Sequence, residues 1–566
     1  MPSVLKLWCS AALLALSATA TPASAQDVPT FNRNIAPILW KHCGSCHRPG
    51  DLAPFPLLDY RDVRPRARRI AEVTAARRMP PWLPDPGPHF SGERGLTQAE
   101  IDLIAAWVDG GAAEGPAADL PRRPVWRDGW QLGTPDLVVQ ASAPYTLRAG
   151  RGDVFRNIVI PVPLKAGQWV RGIEVDPGNR QVVHHAAIAV DRTATSRRLD
   201  AADVEPGFAG DMIAESAARS PAGRAVGWTP GMTPSFEPAG MAWRLEPGSD
   251  LVLLLHLMPG DRPQTLRPRV AFYFAAEPPT RPSMDFKLGS TSIDLPAGAA
   301  DVAIEDRVTL PVDVELLSIY PHAHYLATRM IALATLPGGT SRPLLSIRDW
   351  DFRWQEQYRY AEPVTLPKGT VVTMRYVYDN SASNRRNPAG GTTAVHFGPL
   401  SSDEMGDLWL RLAPVRADDA PALARAYLEH ELQKDIVQAR TRVSRTPDDA
   451  AARVTLGVAL LEAGRAADAL PHLREAVRLD PANALAVLNL GNALLDLGDV
   501  DAAIAQLESA VRLNPAAADA HNNLGIALGS KGRVDDAVAH FVEALRLRPD
   551  YDDAKRNLEL ARGLRR

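Results

Sequence analysis

The spacing of apolar and polar residues changes along the chain, and each spacing predicts a different kind of element. Residues 27–115 hold two stretches with helical periodicity. The first covers Phe31–Lys41. The second begins after Thr97, whose pairing with Glu100 has the form of a capping box, and Gly110 is a natural end for it. We therefore expect a small all-α domain over 27–115.

The middle of the chain shows short apolar runs that are separated by Pro and Gly turns. Runs of this length and spacing are typical of antiparallel strands. We expect two antiparallel, jelly-roll-like β-sandwich domains in series, over 125–280 and 285–415. The clearest runs are Val154–Val162, Val182–Val190, Leu251–Leu257, Val270–Phe274, Leu316–Ile319 and Val371–Val377.

Residues after about 416 are rich in Ala and Leu and repeat with a period of 34 residues. The segment resembles the tetratricopeptide repeat, which implies an α-solenoid over 447–566 with three full units and a capping helix, after a linker helix over 416–446. Such repeats usually bind a protein partner on their concave face, and Asn489, Asn492 and Asn523 could serve that face or simply be solvated. The positions in register include Pro447, Pro481, Pro515 and Pro549; Leu456-Gly457, Leu490-Gly491 and Leu524-Gly525; and Ala469, Ala503 and Ala537.

The composition argues against two classes of protein, nucleic-acid-binding proteins and disulfide-stapled scaffolds. The 566 residues suffice for three or four domains. A formal net charge of −3 gives no reason to expect nucleic acid, which needs a basic face. Three cysteines are too few for a disulfide-stapled scaffold.

The beginning of the chain has the pattern of a secretory signal. Lys6 precedes the apolar run Ala11–Leu16, and small residues follow up to Ala23-Ser24-Ala25. We expect a signal peptide over 1–25 and a periplasmic or secreted protein. No later stretch has about 18 uninterrupted apolar residues, so no membrane span is expected.

One of the three cysteines, Cys9, lies in the predicted signal peptide. The other two lie in the motif Cys43-Gly44-Ser45-Cys46-His47. Two thiols at this spacing can add to the haem vinyl groups, and the following His47 can ligate the iron, so this is the attachment signature of haem c. The alternatives are a redox dithiol, which would need a βαβ frame, or half of a zinc site. A zinc site needs two more ligands, for which this domain offers only His42 and His89 besides His47.

The distal haem ligand is less determined by the sequence. The domain resembles class I-like cytochrome c modules, which implies a Met in a loop before the C-terminal helix. Met79 is the only Met there and is our preferred ligand, because a thioether opposite His suits electron transfer. His89 or His42 could ligate instead, and Met79 could simply fill the core.

Histidines are the most informative feature of the middle segment. His184 and His185 are adjacent, and both can reach one metal only at a bulge or strand end, because neighbours on a regular strand face opposite ways. His256 lies in a run that is apolar on both faces, where burial keeps its ring neutral and able to bind metal. A hydrogen-bonded core His is the alternative.

A second set of ligand-type residues follows. His322 and His324 have the two-residue spacing that puts both rings on one face of a strand. Met405 ends the string Ser401-Ser402-Asp403-Glu404-Met405, and His396 stands nine residues before it. A thioether with two imidazoles makes a soft mixed site, suited to a copper that cycles through Cu(I).

The order of these motifs resembles the copper type II, ascorbate-dependent monooxygenases, a family that includes peptidylglycine α-hydroxylating and dopamine β-monooxygenases. The resemblance covers about 125–415, and the Ser-Ser-Asp-Glu-Met string is its most specific part. It implies two coppers, one that transfers electrons and one that binds O₂. The implied electron-transfer ligands are His184, His185 and His256, and the implied oxygen-site ligands are His322, His324 and Met405.

The chain departs from that family at points that bear on its substrate. The animal enzymes carry several disulfides, whereas these domains have no cysteine. The peptide-amidating branch has an Arg two residues before the first His of the HxH pair and a Tyr four residues after the copper Met. Here those positions hold Tyr320 and Trp409. A peptidyl-glycine substrate is therefore not expected, and the pocket is predicted to be more aromatic and less charged.

Together these patterns predict an exported enzyme that hydroxylates a small-molecule C–H bond with O₂. An ascorbate-like molecule or a redox protein would be the donor, and the fused haem would relay electrons from it. A Pro- and Ala-rich linker, Ala112 to Trp126, would tether the haem domain. Two other interpretations remain: a redox or copper-binding protein without turnover, and an exported scaffold in which the repeats are primary.

Overall fold

The computed structural model describes residues 28–49, 51–127, 129–210, 218–221 and 227–564. The predicted signal peptide lies outside them. Contacts divide the chain into two compact units: Met1–Trp82 with Arg94–Trp126, and Leu83–Glu93 with Arg127–Arg566. Over the described residues, no helix combines the length and apolar character needed to cross a membrane.

The first unit is a small helical domain. Both predicted helices are present, and the second begins with the predicted capping box at Thr97 and Glu100. Phe31 and Trp107 are both buried with ring centroids 6.3 Å apart, so the first and last helical segments pack together. The unit differs from the predicted range because Leu83–Glu93 packs with the second unit. Its helices are α1 (Ala36–His42), preceded by a π-helical turn (Phe31–Ile35), α2 (Tyr60–Val63), α3 (Ala67–Ala75) and α4 (Gln98–Asp109), with 3₁₀ turns at Arg64–Arg66 and Ala117–Asp119.

The second unit begins with an antiparallel β domain whose apolar side chains form one core between two sheets. One sheet has the order β6-β3-β9-β5-β7 and the other β1-β11-β4-β8, with β10-β2 as a separate pair. The short helix α5 (Thr195–Ala202) follows β5. The strands are β1 (Leu137–Gln140), β2 (Tyr145–Leu147), β3 (Val154–Pro161), β4 (Gln168–Asp176), β5 (Val183–Asp191), β6 (Phe208–Ala209), β7 (Gly227–Trp228), β8 (Trp243–Leu245), β9 (Asp250–Leu257), β10 (Gln264–Leu266) and β11 (Arg269–Ala275).

A second antiparallel β domain follows. Its sheets have the orders β12-β21-β15-β18 and β14-β19-β16-β17, with β13-β20 as a short pair. Tyr376 and Tyr378 reach from one sheet to the other, where their hydroxyls donate to the carbonyls of Asp407 and Met405. The strands are β12 (Met284–Gly289), β13 (Asp294–Leu295), β14 (Val302–Thr309), β15 (Val314–Ala323), β16 (Ala327–Thr335), β17 (Ser341–Ile347), β18 (Tyr358–Leu366), β19 (Val371–Tyr378), β20 (Val395–His396) and β21 (Gly406–Pro414).

The C-terminal part consists of antiparallel helix pairs with the 34-residue period. The repeated glycines are required by close packing: a Cβ at Gly457 would lie 2.5 Å from Leu473, and one at Gly525 would lie 2.6 Å from Phe541. The long helix α6 connects the repeats to the second β domain, where His430 Nε2 lies 2.9 Å from Asp306 Oδ2. The helices are α6 (Ala420–Arg445), α7 (Ala450–Glu462), α8 (Ala466–Leu479), α9 (Ala484–Asp496), α10 (Val500–Leu513), α11 (Ala518–Ser530), α12 (Val534–Leu547) and α13 (Asp552–Leu564), after a 3₁₀ turn at Ala417–Asp419.

Candidate metal centres

Three histidines from two neighbouring strands meet in the first β domain. His184 and His185 lie on β5, and His256 lies opposite His185 on β9. The β5–β9 register shifts between Val183 and His185, so the pair sits at an irregularity that lets both rings reach the same side. One ring nitrogen from each of the three lies within 4.8 Å of the others. This is the only group of three or more His, Cys, Asp or Glu with metal-ligand spacing among the described residues.

Within this three-histidine cluster, the surroundings of His184 and His185 favour neutral rings with available lone pairs. Burial, with a smaller contribution from His256, lowers the pKa of His184 to about 3. Burial also lowers the pKa of His185 well below its usual range. Both ring nitrogens of His256 are buried without a hydrogen bond, although Nε2 lies 3.0 Å from Asp153 Oδ1. That contact is close enough for electrostatic attraction but lacks hydrogen-bond alignment. A buried imidazole left in this way is costly unless something else binds it.

The second pair, His322 and His324, lies at the end of β15, with ring centroids 5.3 Å apart. The Glu404 carboxylate connects this strand end to Met405. It accepts hydrogen bonds from the backbone N–H groups of His324, Leu326 and Met405. Glu404 is fully buried, and burial raises its pKa to about 8 against these hydrogen bonds, which act in the opposite direction. The structure therefore brings the backbones of all three predicted ligands to one corner of the domain.

Both histidines of this pair use Nδ1 for a hydrogen bond. His322 Nδ1 bonds to Gln355 Oε1, and His324 Nδ1 bonds to the Asp403 carbonyl at 3.1 Å. An oxygen acceptor fixes the proton on Nδ1 and leaves the lone pair on Nε2, as is usual for metal-binding histidines. Burial lowers the pKa of His322, and it lowers the pKa of His324 to about 3.

One loop contacts both clusters. Phe352 is buried, and its ring stacks on His184 at 4.6 Å and meets His324 edge-on at 5.3 Å between centroids. In the same loop, Trp350 Nε1 donates to the His324 carbonyl at 3.1 Å, and the Gln355 amide donates to the Phe352 carbonyl at 3.1 Å. A single phenyl ring thus lies between a histidine of one cluster and a histidine of the other.

The two positions at which this chain differs from the peptide-amidating monooxygenases, Tyr320 and Trp409, are neighbours in space. Tyr320 on β15 is paired directly with Trp409 on β21. The Tyr320 ring stacks near His322 with centroids 6.4 Å apart, and Lys287 lies 5.5 Å from the Trp409 ring centre. The position that holds an Arg in the peptide-amidating monooxygenases is therefore part of an aromatic pair beside the second cluster in this chain.

In the first unit, Cys43, Cys46 and His47 follow directly after α1, and both cysteines are free thiols. His47 Nδ1 donates to the Phe55 carbonyl at 3.0 Å, which leaves Nε2 as a ligand atom. Burial raises the pKa of Cys43 to about 12 and also raises that of Cys46. Trp126 covers the turn: a Cβ at Gly44 would lie 2.5 Å from its ring.

The alternative distal ligands differ in their surroundings. Both ring nitrogens of His42 are in use, at 3.0 Å from the Arg94 carbonyl and 3.0 Å from Glu100. His89 belongs to the second unit, and its side chain is 88% exposed. Met79 is half-buried in the first unit, and its backbone N–H donates to the Val73 carbonyl at 3.2 Å. Ligation by Met79 stays a prediction.

Several residues around these clusters were not found from the sequence. Asp153 and Gln355 contact His256 and His322 across strands and loops, so no local pattern points to them. Phe352 reads as an ordinary core aromatic. His396, in contrast, lies outside both clusters, with its Nδ1 3.1 Å from Asp294 in an exposed position.

Comparisons with known proteins identify the C-terminal region. A family profile described as tetratricopeptide repeat matches residues 415–484 and 488–552. The crystal structure of MamA is 27% identical, covering 24% of this chain and 78% of that chain, with a TM-score of 0.23. The Arabidopsis OM64 TPR domain is 26% identical, covering 20% of this chain and 95% of that chain, with a TM-score of 0.20. The search of curated proteins finds no match.

The region from about 416 onward is therefore a tetratricopeptide-type helical array, as its 34-residue period predicts. It forms the last part of a multidomain chain whose middle is built from antiparallel sheets.

Proposed function

We propose that this chain is an exported copper-dependent monooxygenase that inserts one oxygen atom of O₂ into a substrate C–H bond, with a fused haem c relaying electrons. The observation that carries the proposal is the three-histidine cluster. Its buried His256 has a ring Nδ1 without a hydrogen-bond partner and an Nε2 that lies 3.0 Å from Asp153, and a ring nitrogen of His256 lies within 4.8 Å of those of His184 and His185. An all-imidazole donor set of this kind suits copper.

The second cluster supports a different role for its metal. Two imidazoles with free Nε2 atoms, together with a thioether, give a softer donor set that favours Cu(I). His322 and His324 would hold the metal through Nε2, and Met405 would complete the set through sulfur. When bound, copper supplies O₂ activation at this centre and one-electron transfer at the three-histidine cluster.

The residues of the chain then have separable tasks in the mechanism. Gln355 Oε1 and the Asp403 carbonyl hold protons on Nδ1 of His322 and His324, so both rings keep one tautomer. Glu404 holds the backbone of His324 and Met405 in one arrangement. The overall reaction converts a C–H bond, O₂, two electrons and two protons into an alcohol and water.

The surroundings of the second cluster suggest the substrate class. The aromatic pair of Tyr320 and Trp409 lies where the peptide-amidating branch would place an Arg and a Tyr, and no carboxylate clamp is formed there. Lys287, which lies over the Trp409 ring, is paired with Asp407 at 3.9 Å. A small apolar or aromatic molecule fits this environment better than a peptide carboxylate.

The haem module is proposed on the Cys43-Gly44-Ser45-Cys46-His47 turn. The hydrogen bond from His47 Nδ1 to the Phe55 carbonyl leaves Nε2 free, and through this atom His47 would hold the haem iron. When bound, haem would supply one-electron transfer from an external donor, which we propose to be an ascorbate-like molecule or a redox protein. Met79 is our proposed second protein ligand to the iron, and a periplasmic or secreted location suits haem c attachment.

Labelling with ¹⁸O₂ tests the proposed function. Copper-loaded protein, a reductant and a panel of small aromatic and apolar compounds should give products that are heavier by one ¹⁸O atom. The His324→Ala variant should give none, because it removes a ligand of the proposed oxygen site. The exposed His396→Ala variant is the matched control and should keep the activity. If O₂ is consumed but gives only hydrogen peroxide or water, with no labelled product across the panel, a redox or copper-binding protein without hydroxylase activity would be favoured instead.

A further inference from the structure

The segment Leu83–Glu93, called the strap below, leaves the first unit and returns to it. The chain on both sides of the strap, up to Trp82 and from Arg94, belongs to the first unit, whereas the strap belongs to the second. A Pro-rich loop of this kind would ordinarily lie over its own domain. The strap instead makes backbone and side-chain contacts with the second β domain.

The strap adds to the edge of a sheet. Strand β18 is the last strand of the sheet β12-β21-β15-β18. Phe90 forms an antiparallel bridge with Tyr360. On either side of this bridge, Ser91 N–H donates to the Arg359 carbonyl at 2.8 Å, and Ala361 N–H donates to the His89 carbonyl at 3.0 Å. The strap therefore satisfies backbone groups that an edge strand otherwise leaves open.

Side chains anchor the strap at both ends. The Phe90 side chain is only 5% exposed, with ring centroids 5.4 Å from Tyr358 and 5.0 Å from Tyr360. Asp85 accepts hydrogen bonds from Ser346 Oγ at 2.6 Å and Arg348 Nε at 2.7 Å, while its N–H donates to the Ser346 carbonyl at 2.7 Å. A buried aromatic ring beside a half-buried polar anchor is a feature of a specific interface.

We propose that the strap is an intramolecular docking element: through its contacts with the second β domain it keeps the chain up to Trp126 associated with the rest of the protein, independently of the chain connection between Trp126 and Arg127. The first unit is joined to the strap at Trp82 and again at Arg94, so it stays attached wherever the strap stays bound. Only three residues separate Met79 from the strap. A role of this attachment in electron transfer from haem to copper rests on the proposed function, whereas the docking of the strap does not.

Severing the remaining covalent connection tests the proposal. A protease recognition sequence is inserted between Trp126 and Arg127, where the chain passes from one unit to the other. After cleavage, the fragment that ends at Trp126 should co-elute with the fragment that begins at Arg127 on size-exclusion chromatography. Separation of the wild-type fragments at micromolar concentration would overturn the proposal.

Variants of the strap show whether its contacts carry the association. In the cleaved protein, Phe90→Ala combined with Asp85→Ala should weaken the association at least tenfold, because it removes the buried ring and the polar anchor. His89→Ala is the matched control in the same strap, because its side chain is 88% exposed, and it should associate like the wild type.

Equal association of the double variant and the wild type would also overturn the proposal. Circular dichroism of the uncleaved double variant checks that both units are folded. Size-exclusion chromatography measures the association of the two fragments and not copper binding or turnover. Its result can therefore be distinguished from that of the ¹⁸O₂ experiment.

Discussion

Replacement of Glu404 by Ala should loosen the second candidate centre from within. The Glu404 carboxylate is fully buried and accepts the backbone N–H groups of His324, Leu326 and Met405. Truncation leaves the N–H groups of His324 and Leu326 buried without an acceptor, and that of Met405 part-buried without one. Each buried donor costs about 1–3 kcal/mol, so the local cost should be at least about 2 kcal/mol. Since every 1.4 kcal/mol is a factor of ten, local opening should become at least about 20-fold more frequent.

Hydrogen exchange followed by mass spectrometry measures this effect directly, because the chain has several domains and global unfolding is not expected to be two-state. Peptides that contain His324 and Met405 should exchange faster in apo Glu404→Ala protein, while peptides of the helical repeats should not change. Glu404→Gln should give a smaller effect, since one oxygen acceptor remains.

The matched control is Glu305→Ala. Glu305 pairs with Arg375 at 2.7 Å on an exposed strand surface, with both side chains about half exposed, and such pairs contribute little. If Glu404→Ala exchanges no faster than Glu305→Ala around His324 and Met405, Glu404 does not hold these residues in place.

Three other variants test separate parts of the account. Replacing both Cys43 and Cys46 by Ala should abolish covalent haem staining on a denaturing gel, and persistent staining would remove the haem assignment. Burial and then the neighbouring His521 lower the pKa of His540, so the folded repeat disfavours protonation there. The stabilising effect of the neutral His540 ring is present above the ordinary pKa of 6.5 and is lost as the pH falls through the lowered pKa. After correction for the slower intrinsic exchange at low pH, the protection of α12 amides should therefore fall from pH 7 to pH 5, and it should fall less in His540→Gln. Phe352→Ala should cost about 3–5 kcal/mol as a buried aromatic and should perturb the copper spectra of both centres; a change at one centre alone would contradict its position between them.

Local patterns predicted much of the fold. The apolar runs at Val154–Val162 and Leu251–Leu257 correspond to β3 and β9, because strands buried on both faces read as continuous apolar stretches. The capping box at Thr97 was predictable because both partners lie within one turn. The 34-residue register identified the repeats. The register is predictable because the repeated glycines lie where one helix packs closely against the next.

Features that depend on distant residues were not predictable in this way. The strap reads as a Pro-rich loop, because edge pairing with β18 involves residues about 270 positions away. The β-bulge that turns His184 and His185 to one side was recognised as a requirement, but the sequence did not show whether it forms. Gln355 and Asp153 touch histidines through tertiary structure alone, so they could be identified only after the strands were in place.

Copper counting in two variants tests the central claim most directly. After copper loading and removal of loosely bound metal, the wild type should hold two copper ions per chain. His256→Ala should hold one and should still bind carbon monoxide in the Cu(I) state, because the proposed oxygen site at His322, His324 and Met405 is intact. Met405→Ile should bind carbon monoxide more weakly, since the soft ligand that favours Cu(I) is gone. If His256→Ala keeps both coppers, or if the wild type binds none tightly, the assignment of two separate copper centres is wrong.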